Sequence, residues 1–352
     1  MKIALITDQH FGARGDNAQF HDYFSFFYKE FFFPFLEEHG ITTIIELGDI
    51  FDRRKYVNFD SLNRCKQYFF DPIRDNNIDL HCIVGNHDIY YKNTNRVNSP
   101  ELLLGEYEYT VYSATTEVEF DGLKILFVPW ISPDNTEESM ERISSTSATV
   151  VMGHLELQGF EMYKGSINDH GLDRKVFSKF ESVMSGHFHH KSSRENIHYL
   201  GAPYEMTWSD YDDPRGFHIF DTETKDLTFI QNPYSMFYKV FYDDIVESED
   251  DILSKDFSYL ENKQVKVIVK NKQNPYIFDL FVDRINACLP SHIQVVEDNL
   301  NLNVEDDSII DEAEDTVTIV KTYIDNLKLD DTKTSNLKVL FENLYHEALS
   351  VE

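Results

Sequence analysis

The first 190 residues alternate between short apolar runs and longer amphipathic stretches. The apolar runs, short enough for buried strands, are residues 3–7, 42–47, 80–84, 125–128, 149–152 and 183–184. The amphipathic stretches predict helices over 20–38, 60–76, 136–144 and 174–180. Two further segments, 117–129 and 216–231, have the pattern of β-hairpins. Buried strands separated by helices predict an α/β fold with layered sheets.

The pattern changes beyond residue 235, where shorter elements follow one another. Strands at 239–242, 265–270 and 293–296, with an acidic helix and a helix at 275–288 between them, predict a small α+β module. Residues 297–315 hold nine acidic residues and no basic one, which is typical of a solvated linker. Amphipathic helices follow at 317–327 and 337–349. We therefore expect a main domain over 1–235, the module over 236–298, the linker over 299–315 and a helix pair over 316–352.

Charge and cysteine content limit the functional classes. The 352 residues include 32 basic and 62 acidic side chains, a net charge of −30, which would repel a polyanion unless bound cations neutralise part of it. The three cysteines, Cys65, Cys82 and Cys288, have no pairing pattern and fit reduced thiols in a cytosol. No run of about 18 apolar residues occurs, so we expect no membrane span. The expected location is the cytoplasm, or the host cytoplasm if the source is viral.

Polar residues that can bind metal follow one predicted strand after another. In order they are Asp8-Gln9-His10, Gly48-Asp49-Ile50-Phe51-Asp52, Gly85-Asn86-His87-Asp88, Gly153-His154 and Gly186-His187-Phe188-His189. Each motif alone is more often a turn, a helix cap or a satisfied polar pair. Together they supply imidazoles, carboxylates and an amide at the sheet edge where α/β proteins bind ligands. This mixture suits manganese, iron or zinc better than calcium or magnesium.

In this order the five motifs resemble those of the calcineurin-like metallophosphoesterases. Within that family the chain is similar to the SbcD/Mre-type DNA-repair nucleases, and most of all to the recombination endonuclease subunits of T-even-like phages. Further similarities are Gly201-Ala202-Pro203 and Asp213-Pro214-Arg215-Gly216-Phe217. The resemblance covers residues 1–225 strongly. It implies a layered α-β-β-α sandwich with a small α+β capping or DNA-binding domain over 236–298 and C-terminal helices.

The resemblance also implies two divalent ions, with manganese as the expected metal. The first ion would be held by Asp8, His10, Asp49 and His189. The second would be held by Asp49, Asn86, His154 and His187, so that Asp49 bridges the two ions. Such an ion pair, about 3.5 to 4 Å apart, activates water for in-line attack at phosphorus. Because histidines ligate metal only when neutral, we expect activity to fall below about pH 6.

The remaining site residues lie beside these ligands in the sequence. By resemblance, His87 contacts the scissile phosphate or protonates the leaving oxygen, and Asp52 holds that imidazole in the required tautomer. Many nucleases of this branch have His at the Asp52 position, whereas Asp52-Arg53 matches the broader phosphatase pattern. Arg53, Arg54 and Lys55 form the densest basic run of the chain. This run is either a solvated turn or a positive rim that binds DNA phosphates.

The resemblance implies two protein partners in addition to DNA. A homodimer would form through a helix at 97–107, which contains Leu102, Leu103 and Leu104. An SbcC-like coiled-coil ATPase would bind the apolar stripes of the C-terminal helix pair at 316–352. Ordinary core packing is the alternative explanation for both features.

Three functions remain open from the sequence. The first is a DNA exonuclease and endonuclease. The second is a small-substrate phosphatase or cyclic-nucleotide phosphodiesterase with the same metal centre, which the net charge of −30 favours. The third is a scaffold without metal, which the complete set of ligand residues disfavours.

Overall fold

The structure is a computed structural model that describes residues 1–163, 166–297 and 337. The acidic linker at 299–315 and the C-terminal helices expected over 316–352 lie outside the described residues, apart from Leu337. Among the helices described, none combines the length and apolarity that a bilayer span requires.

Most strands of the chain belong to two large sheets. The strands are β1 (Lys2–Ile6), β2 (Thr43–Glu46), β3 (Asp79–Ile83), β4 (Thr110–Tyr112), β5 (Thr116–Phe120), β6 (Leu123–Val128), β7 (Val150–His154), β8 (Glu161–Tyr163), β9 (Ser166–Ile167), β10 (Ser182–Gly186), β11 (Ser192–Arg194), β12 (Ile197–Tyr199), β13 (Gly216–Asp221), β14 (Leu227–Gln231), β15 (Phe237–Asp243), β16 (Gln264–Asn271) and β17 (His292–Glu297). The first sheet has the order β14-β13-β1-β2-β3-β4, and the second has β11-β12-β10-β7-β6-β5.

The two sheets pack face to face around one apolar core. Their strands alternate so that one set of side chains from each sheet meets between them. The buried residues of this core are Ile3, Leu5, Ile45, Leu47, Ile83, Phe120, Ile125, Phe127, Val150, Met152, Met184, Leu200 and Phe220. Because both sheets contribute to it, the central layers form a β-sandwich.

Helices cover the outer faces of the sandwich. They are α1 (Ala13–Asp16), α2 (Ala18–Phe27), α3 (Phe33–Glu38), α4 (Phe59–Cys65), α5 (Asp71–Asp75), α6 (Ser99–Leu103) and α7 (Thr136–Ser145), whereas α8 (Glu249–Ser254) and α9 (Pro275–Ala287) pack on a third sheet. On the first sheet, Phe217 of β13 packs against Phe27 and Phe32. On the second, Ile143 of α7 joins a buried cluster with Val151. The predicted α-β-β-α layering is therefore confirmed.

The two long predicted helices each contain a π-helical turn. Tyr28–Phe32 separates α2 from α3, and Lys66–Phe70 separates α4 from α5. In both cases a proline stands at the start of the next helix. Because proline cannot donate the helical N–H bond and its ring crowds the preceding turn, a wider turn at this point is physically reasonable. The sequence pattern predicted the helices but not these turns.

Residues beyond 235 form a third sheet with its own core. Its order is β15-β16-β17, with β15 and β16 parallel. Val240, Val267 and Phe281 are among the buried residues between this sheet and its helices. All five predicted elements of the α+β module are present. The boundary of a separate capping domain at 236–298 stays a prediction.

Two helix predictions were wrong in extent. The segment predicted as a helix over 174–180 has only a 3₁₀ turn, Arg174–Phe177, capped by the Asp173 side chain. The segment predicted over 97–107 is helical only at Ser99–Leu103. In this helix Leu102 is 68% exposed whereas Pro100 is buried, so one face of this short helix is core and another is open.

Candidate metal centre

The candidate ligands lie on loops that leave neighbouring strands at one edge of each sheet. Strands β1, β2 and β3 are parallel neighbours, as are β7 and β10. The motifs that begin at Asp8, Gly48 and Gly85 follow the first three strands, while His154 ends β7 and His187 follows β10. Because the sandwich brings these carboxyl ends together, residues as distant in sequence as Asp8 and His187 become neighbours.

Four of the candidate ligands have left-handed backbones, which side chains other than glycine rarely adopt. They are Asp8 (φ 52°), His10 (φ 44°), Asp49 (φ 65°) and His187 (φ 90°). Each such residue costs on the order of 1–3 kcal/mol, and such strain concentrates at functional sites. Here the left-handed backbones lie in the loops that bring these candidate ligands close to one another.

Asp8, His10 and His189 form the first cluster of candidate ligands, with ligand atoms within 4.8 Å of one another. The Nε2 atoms of His10 and His189 are 3.0 Å apart, and each lies 4.0 Å from Asp8 Oδ1. Asp8 is fully buried and accepts bonds from Thr7 Oγ1 and from the backbone N–H of His187. Two ring nitrogens that face each other beside a carboxylate fit a shared cation.

Asp49, His154 and His187 form the second cluster, to which Asn86 adds an amide oxygen. Asn86 Oδ1 lies 2.9 Å from His154 Nε2 and 2.8 Å from His187 Nδ1. His154 Nδ1 is 2.7 Å from the carbonyl oxygen of Leu47, which can only accept a hydrogen bond. The Nδ1 atom therefore carries the proton, and in the neutral ring Nε2 keeps its lone pair for a metal.

Asp49 connects the two clusters. Its Oδ2 lies 3.7 Å from His10 Nε2 and 3.3 Å from His154 Nε2. Its Oδ1 accepts the backbone N–H of His87 at 2.7 Å. A carboxylate placed between two ligand sets in this way has the position of a bridging ligand. The donor set and spacing fit two divalent cations.

Asp49 and His154 attract each other as charged groups when no cation is bound. Burial raises the pKa of Asp49, but the imidazoles of His154, His87 and His10 together outweigh burial and hold this pKa well below its usual range. Burial lowers the pKa of His154, but Asp49 and Asp8 raise it to about 9. A cation must displace the His154 proton because only the neutral ring binds metal.

The other candidate ligands have the opposite shifts. Burial lowers the pKa of His187 and of His189 to about 3, and it lowers that of His10 well below its usual value. These three rings are therefore neutral at neutral pH. Burial, reinforced by the charge of Asp49, raises the pKa of Asp8 to about 7. Asp8 and His154 are the ligands from which protons must leave when a metal binds.

Two glycines allow the loops to approach this closely. A Cβ atom on Gly85 would stand 2.2 Å from Asp49 Oδ1, and one on Gly186 would stand 2.0 Å from Thr7 Oγ1. Real Cβ contacts are never this short, so any side chain at either position would displace a ligand loop.

Asp88 is a site residue whose role the sequence did not reveal. Its carboxylate is buried and accepts three backbone N–H groups, from Asp49 at 2.9 Å, Gly85 at 2.8 Å and Ile50 at 3.0 Å. Burial and the nearby Asp49 raise its pKa to about 6. Asp88 thus ties the loop of the bridging carboxylate to the loop of Asn86. Its place in Gly85-Asn86-His87-Asp88 was the only sequence signal.

Arg215 and Trp130 also support the site without having been predicted to do so. Arg215 is buried, pairs with Asp210 at 2.7 Å and Asp213 at 2.8 Å, and donates to the backbone carbonyl of His189. The Trp130 ring lies 5.1 Å from that of His187, centre to centre. Both residues restrict the loop after β10, which carries His187 and His189.

His87 lies at the site, but its contact with Asp52 differs from the expected one. Its Nδ1 lies 2.6 Å from the backbone carbonyl oxygen of Asp52, whereas we had expected the carboxylate to orient the ring. The Asp52 carboxylate lies 3.7 Å from His10 Nδ1. The Asp52 main chain thus provides the contact that fixes the His87 tautomer, and any residue type at this position has the same carbonyl.

The three residues of the predicted basic rim differ in their surroundings. Arg53 donates to Asp16 at 3.2 Å, with its guanidinium 5.0 Å from the centre of the Tyr56 ring. Arg54 has one buried nitrogen, Nη1, without a hydrogen-bond partner. Lys55 is exposed. All three follow the Asp49 loop directly, so the run lies beside the metal centre.

A two-sheet sandwich with two carboxylate–histidine clusters at one edge defines a metal-dependent phosphoesterase. Residues 1–191 match the calcineurin-like phosphoesterase family, and the chain belongs to this family. It is 34% identical over 351 residues to "Exonuclease subunit 1" of Enterobacteria phage T4, which covers 99% of both proteins. The resemblance inferred from the motifs is confirmed, and the enzyme is a metal-dependent phosphodiesterase.

Solved structures with related folds are more distant. A novel archaeal phosphodiesterase is 16% identical, with 66% of this chain and 99% of that chain covered and a TM-score of 0.33. A dimetal phosphatase from Danio rerio is 12% identical, with 62% and 91% covered and a TM-score of 0.35. Neither similarity is close enough to bear on the choice of substrate.

Proposed function

We propose that the protein is a DNA nuclease that uses two metal ions, with manganese as the working metal. It would be the exonuclease and endonuclease subunit of an SbcCD-like recombination and repair complex. The observation that carries the proposal is the meeting of two ligand clusters at Asp49, in a chain similar over its full length to a phage exonuclease subunit. The proposed ligands are those named above for each ion.

Two cations held there would supply an activated water and charge stabilisation at the phosphate. The chain's own groups would position the substrate and move one proton. His87 is held at Nδ1 by the Asp52 carbonyl, so Nδ1 carries a proton. Its Nε2 can therefore donate only when the ring is the imidazolium. We assign that form of His87 to protonation of the leaving oxygen or to a bond with the scissile phosphate.

The basic run gives a local positive charge in an acidic protein. Arg53, Arg54 and Lys55 follow the bridging Asp49 by only four to six positions, and Lys55 is exposed. Phosphates flanking the scissile one are the acceptors we propose for this rim. Replacing all three residues by alanine should weaken DNA binding and reduce its salt dependence, and unchanged binding would remove the rim from the proposal.

Two protein partners belong to the proposal. The first is an SbcC-like coiled-coil ATPase bound by residues 316–352. The second is another copy of the chain, bound through α6, where Leu102 is 68% exposed. Replacement of Leu102 by glutamate should shift the mass measured by light scattering from dimer to monomer. A dimer that persists in this variant would exclude α6 as the contact.

A direct assay tests the catalytic part. Purified protein with Mn²⁺ is given linear duplex DNA, single-stranded DNA and p-nitrophenyl phosphate esters. We expect DNA hydrolysis that Asp49→Ala abolishes together with metal binding, whereas Asp250→Ala, at an exposed carboxylate of α8, leaves both unchanged. An Asp49→Ala protein with full metal content and activity would refute the metal centre.

The net charge of −30 favours a second candidate, a small-substrate phosphatase or cyclic-nucleotide phosphodiesterase. The same assay separates the two. Rapid hydrolysis of cyclic nucleotides or phenyl esters with no cleavage of either DNA would select the second candidate.

A further inference from the structure

The segment that follows the bridging ligand presents two exposed aromatic rings. Tyr56 is 62% exposed and Phe59 is 88% exposed. Phe59 begins α4, where the Asn58 side chain caps the helix by accepting the N–H of Asp60 at 2.8 Å. These two rings lie within four residues of each other and directly after the basic run Arg53–Lys55, and exposed aromatic patches mark interaction sites.

A small cleft lies between Tyr56 and the residues that follow two of the candidate ligands. Its walls include Phe11, which follows the ligand His10, as well as Phe51 and Asp52, which follow the ligand Asp49. Arg53 and Tyr56 line the same cleft. The Tyr56 ring therefore lies close to the loops that carry His10 and Asp49.

The guanidinium of Arg53 lies beside the Tyr56 ring, and a chain of hydrogen bonds that reaches into the core holds it there. Tyr68 OH lies 3.1 Å from His21 Nδ1, and His21 Nε2 lies 2.8 Å from Ser61 Oγ. Ser61 in turn donates to Asp16 at 2.6 Å. Since the Ser61 proton goes to Asp16, His21 Nε2 must donate to Ser61, and Nδ1 accepts from Tyr68. Burial lowers the His21 pKa, which agrees with the neutral ring this requires.

The end of this chain holds Arg53. Asp16, whose own backbone is left-handed with φ 62°, accepts from Arg53 Nη1 at 3.2 Å. The guanidinium then lies 5.0 Å from the centre of the Tyr56 ring. Arginine and tyrosine held together in this way offer an aromatic face and a positive charge in fixed positions. This is the combination that binds a nucleobase and its adjoining phosphate.

We propose that Tyr56, supported by Arg53, is a stacking platform for an unpaired nucleobase of the DNA strand being cut. The inference rests on the proposed nuclease function and narrows its substrate to strands with unpaired bases next to the scissile phosphate. A base inside a blunt duplex has both faces covered by its neighbours and cannot use the ring. Phe59 extends the aromatic surface along the same segment.

The test uses a single strand that carries 2-aminopurine at either end and phosphorothioate linkages to limit cleavage. Stacking on the protein quenches this fluorophore. We expect wild-type protein with Mn²⁺ to quench it at one end, Tyr56→Phe to retain the effect, and Tyr56→Ala to lose it. The dissociation constant of Tyr56→Ala should rise by about 5-fold or more, as expected for the loss of one stacked base. Binding of a blunt-ended duplex without a loop should change less.

Phe26→Ala is the control, since this aromatic side chain is 50% exposed on α2. It should bind the strand as the wild type does. Metal content equal to that of the wild type would show that Tyr56→Ala keeps its metal centre. Wild-type quenching and affinity in Tyr56→Ala would overturn the platform while leaving the nuclease proposal intact. A wild-type protein that neither binds nor cuts unmodified DNA would overturn the nuclease proposal itself.

Discussion

Asp88→Asn changes the shape of the side chain very little, but it should loosen the contact between the loop of Asp49 and the loop of Asn86. The carboxylate accepts N–H groups from Asp49 and Gly85 at Oδ2 and from Ile50 at Oδ1. An amide offers only one oxygen, so at least one buried N–H will face an NH₂ group. An unsatisfied buried donor costs about 1–3 kcal/mol. Relief of the repulsion between Asp88 and Asp49 will offset part of this loss in the metal-free protein.

Metal binding should respond more strongly than stability. The asparagine displaces the loop of the bridging Asp49, and it also removes a negative charge beside the ions. Changes to groups that orient metal ligands typically cost about 10- to 100-fold in affinity. Isothermal titration with Mn²⁺ should show this loss in Asp88→Asn and none in Asp250→Asn, at an exposed carboxylate. Two manganese ions bound by Asp88→Asn with wild-type affinity would refute the role given to Asp88.

Three further outcomes follow from the same geometry. His87→Ala should slow DNA hydrolysis by about 10²- to 10⁴-fold. Hydrolysis of a p-nitrophenyl nucleotide ester should slow far less, because p-nitrophenolate leaves without a proton. Equal losses of rate on both substrates would argue against proton donation by His87. Because the pKa of His154 is about 9, a metal ion that binds below that pH must displace a proton from the ring. Mn²⁺ affinity should therefore rise by about tenfold per pH unit from 7 toward 9 and then level off. A flat pH profile in titration calorimetry would contradict this. Arg215→Ala removes the cation from two buried carboxylates and should cost about 3–5 kcal/mol in urea unfolding, whereas Arg96→Ala, at a side chain 80% exposed, should change little.

The fold and the ligand set could be predicted from local patterns. Parallel strands are buried on both faces, so they appear as short apolar runs, and the ligands stand directly after those runs. The hairpin at 117–129 was also predictable, since Asp121 and Gly122 have the left-handed backbones that a tight two-residue turn needs. Short edge strands such as β4 and β11 escaped prediction because three residues carry too little periodicity.

What could not be predicted are the interactions that depend on packing between distant segments. Asp88 supports the site through backbone N–H groups, which have no sequence signature. Arg215 reaches His189 only because the fold brings β13 next to the loop after β10. The orientation of His87 by the Asp52 carbonyl, instead of its carboxylate, is likewise set by the path of the main chain. The identity of a side chain therefore predicts its chemistry well, but it predicts poorly which other groups hold that side chain in place.

The central claim is that two cations share Asp49, and anomalous X-ray scattering from crystals grown with Mn²⁺ tests it most directly. We expect two peaks about 3.5 to 4 Å apart. One should contact Asp8, His10, Asp49 and His189, and the other Asp49, Asn86, His154 and His187. A single peak, or two peaks of which neither touches Asp49, would contradict the account.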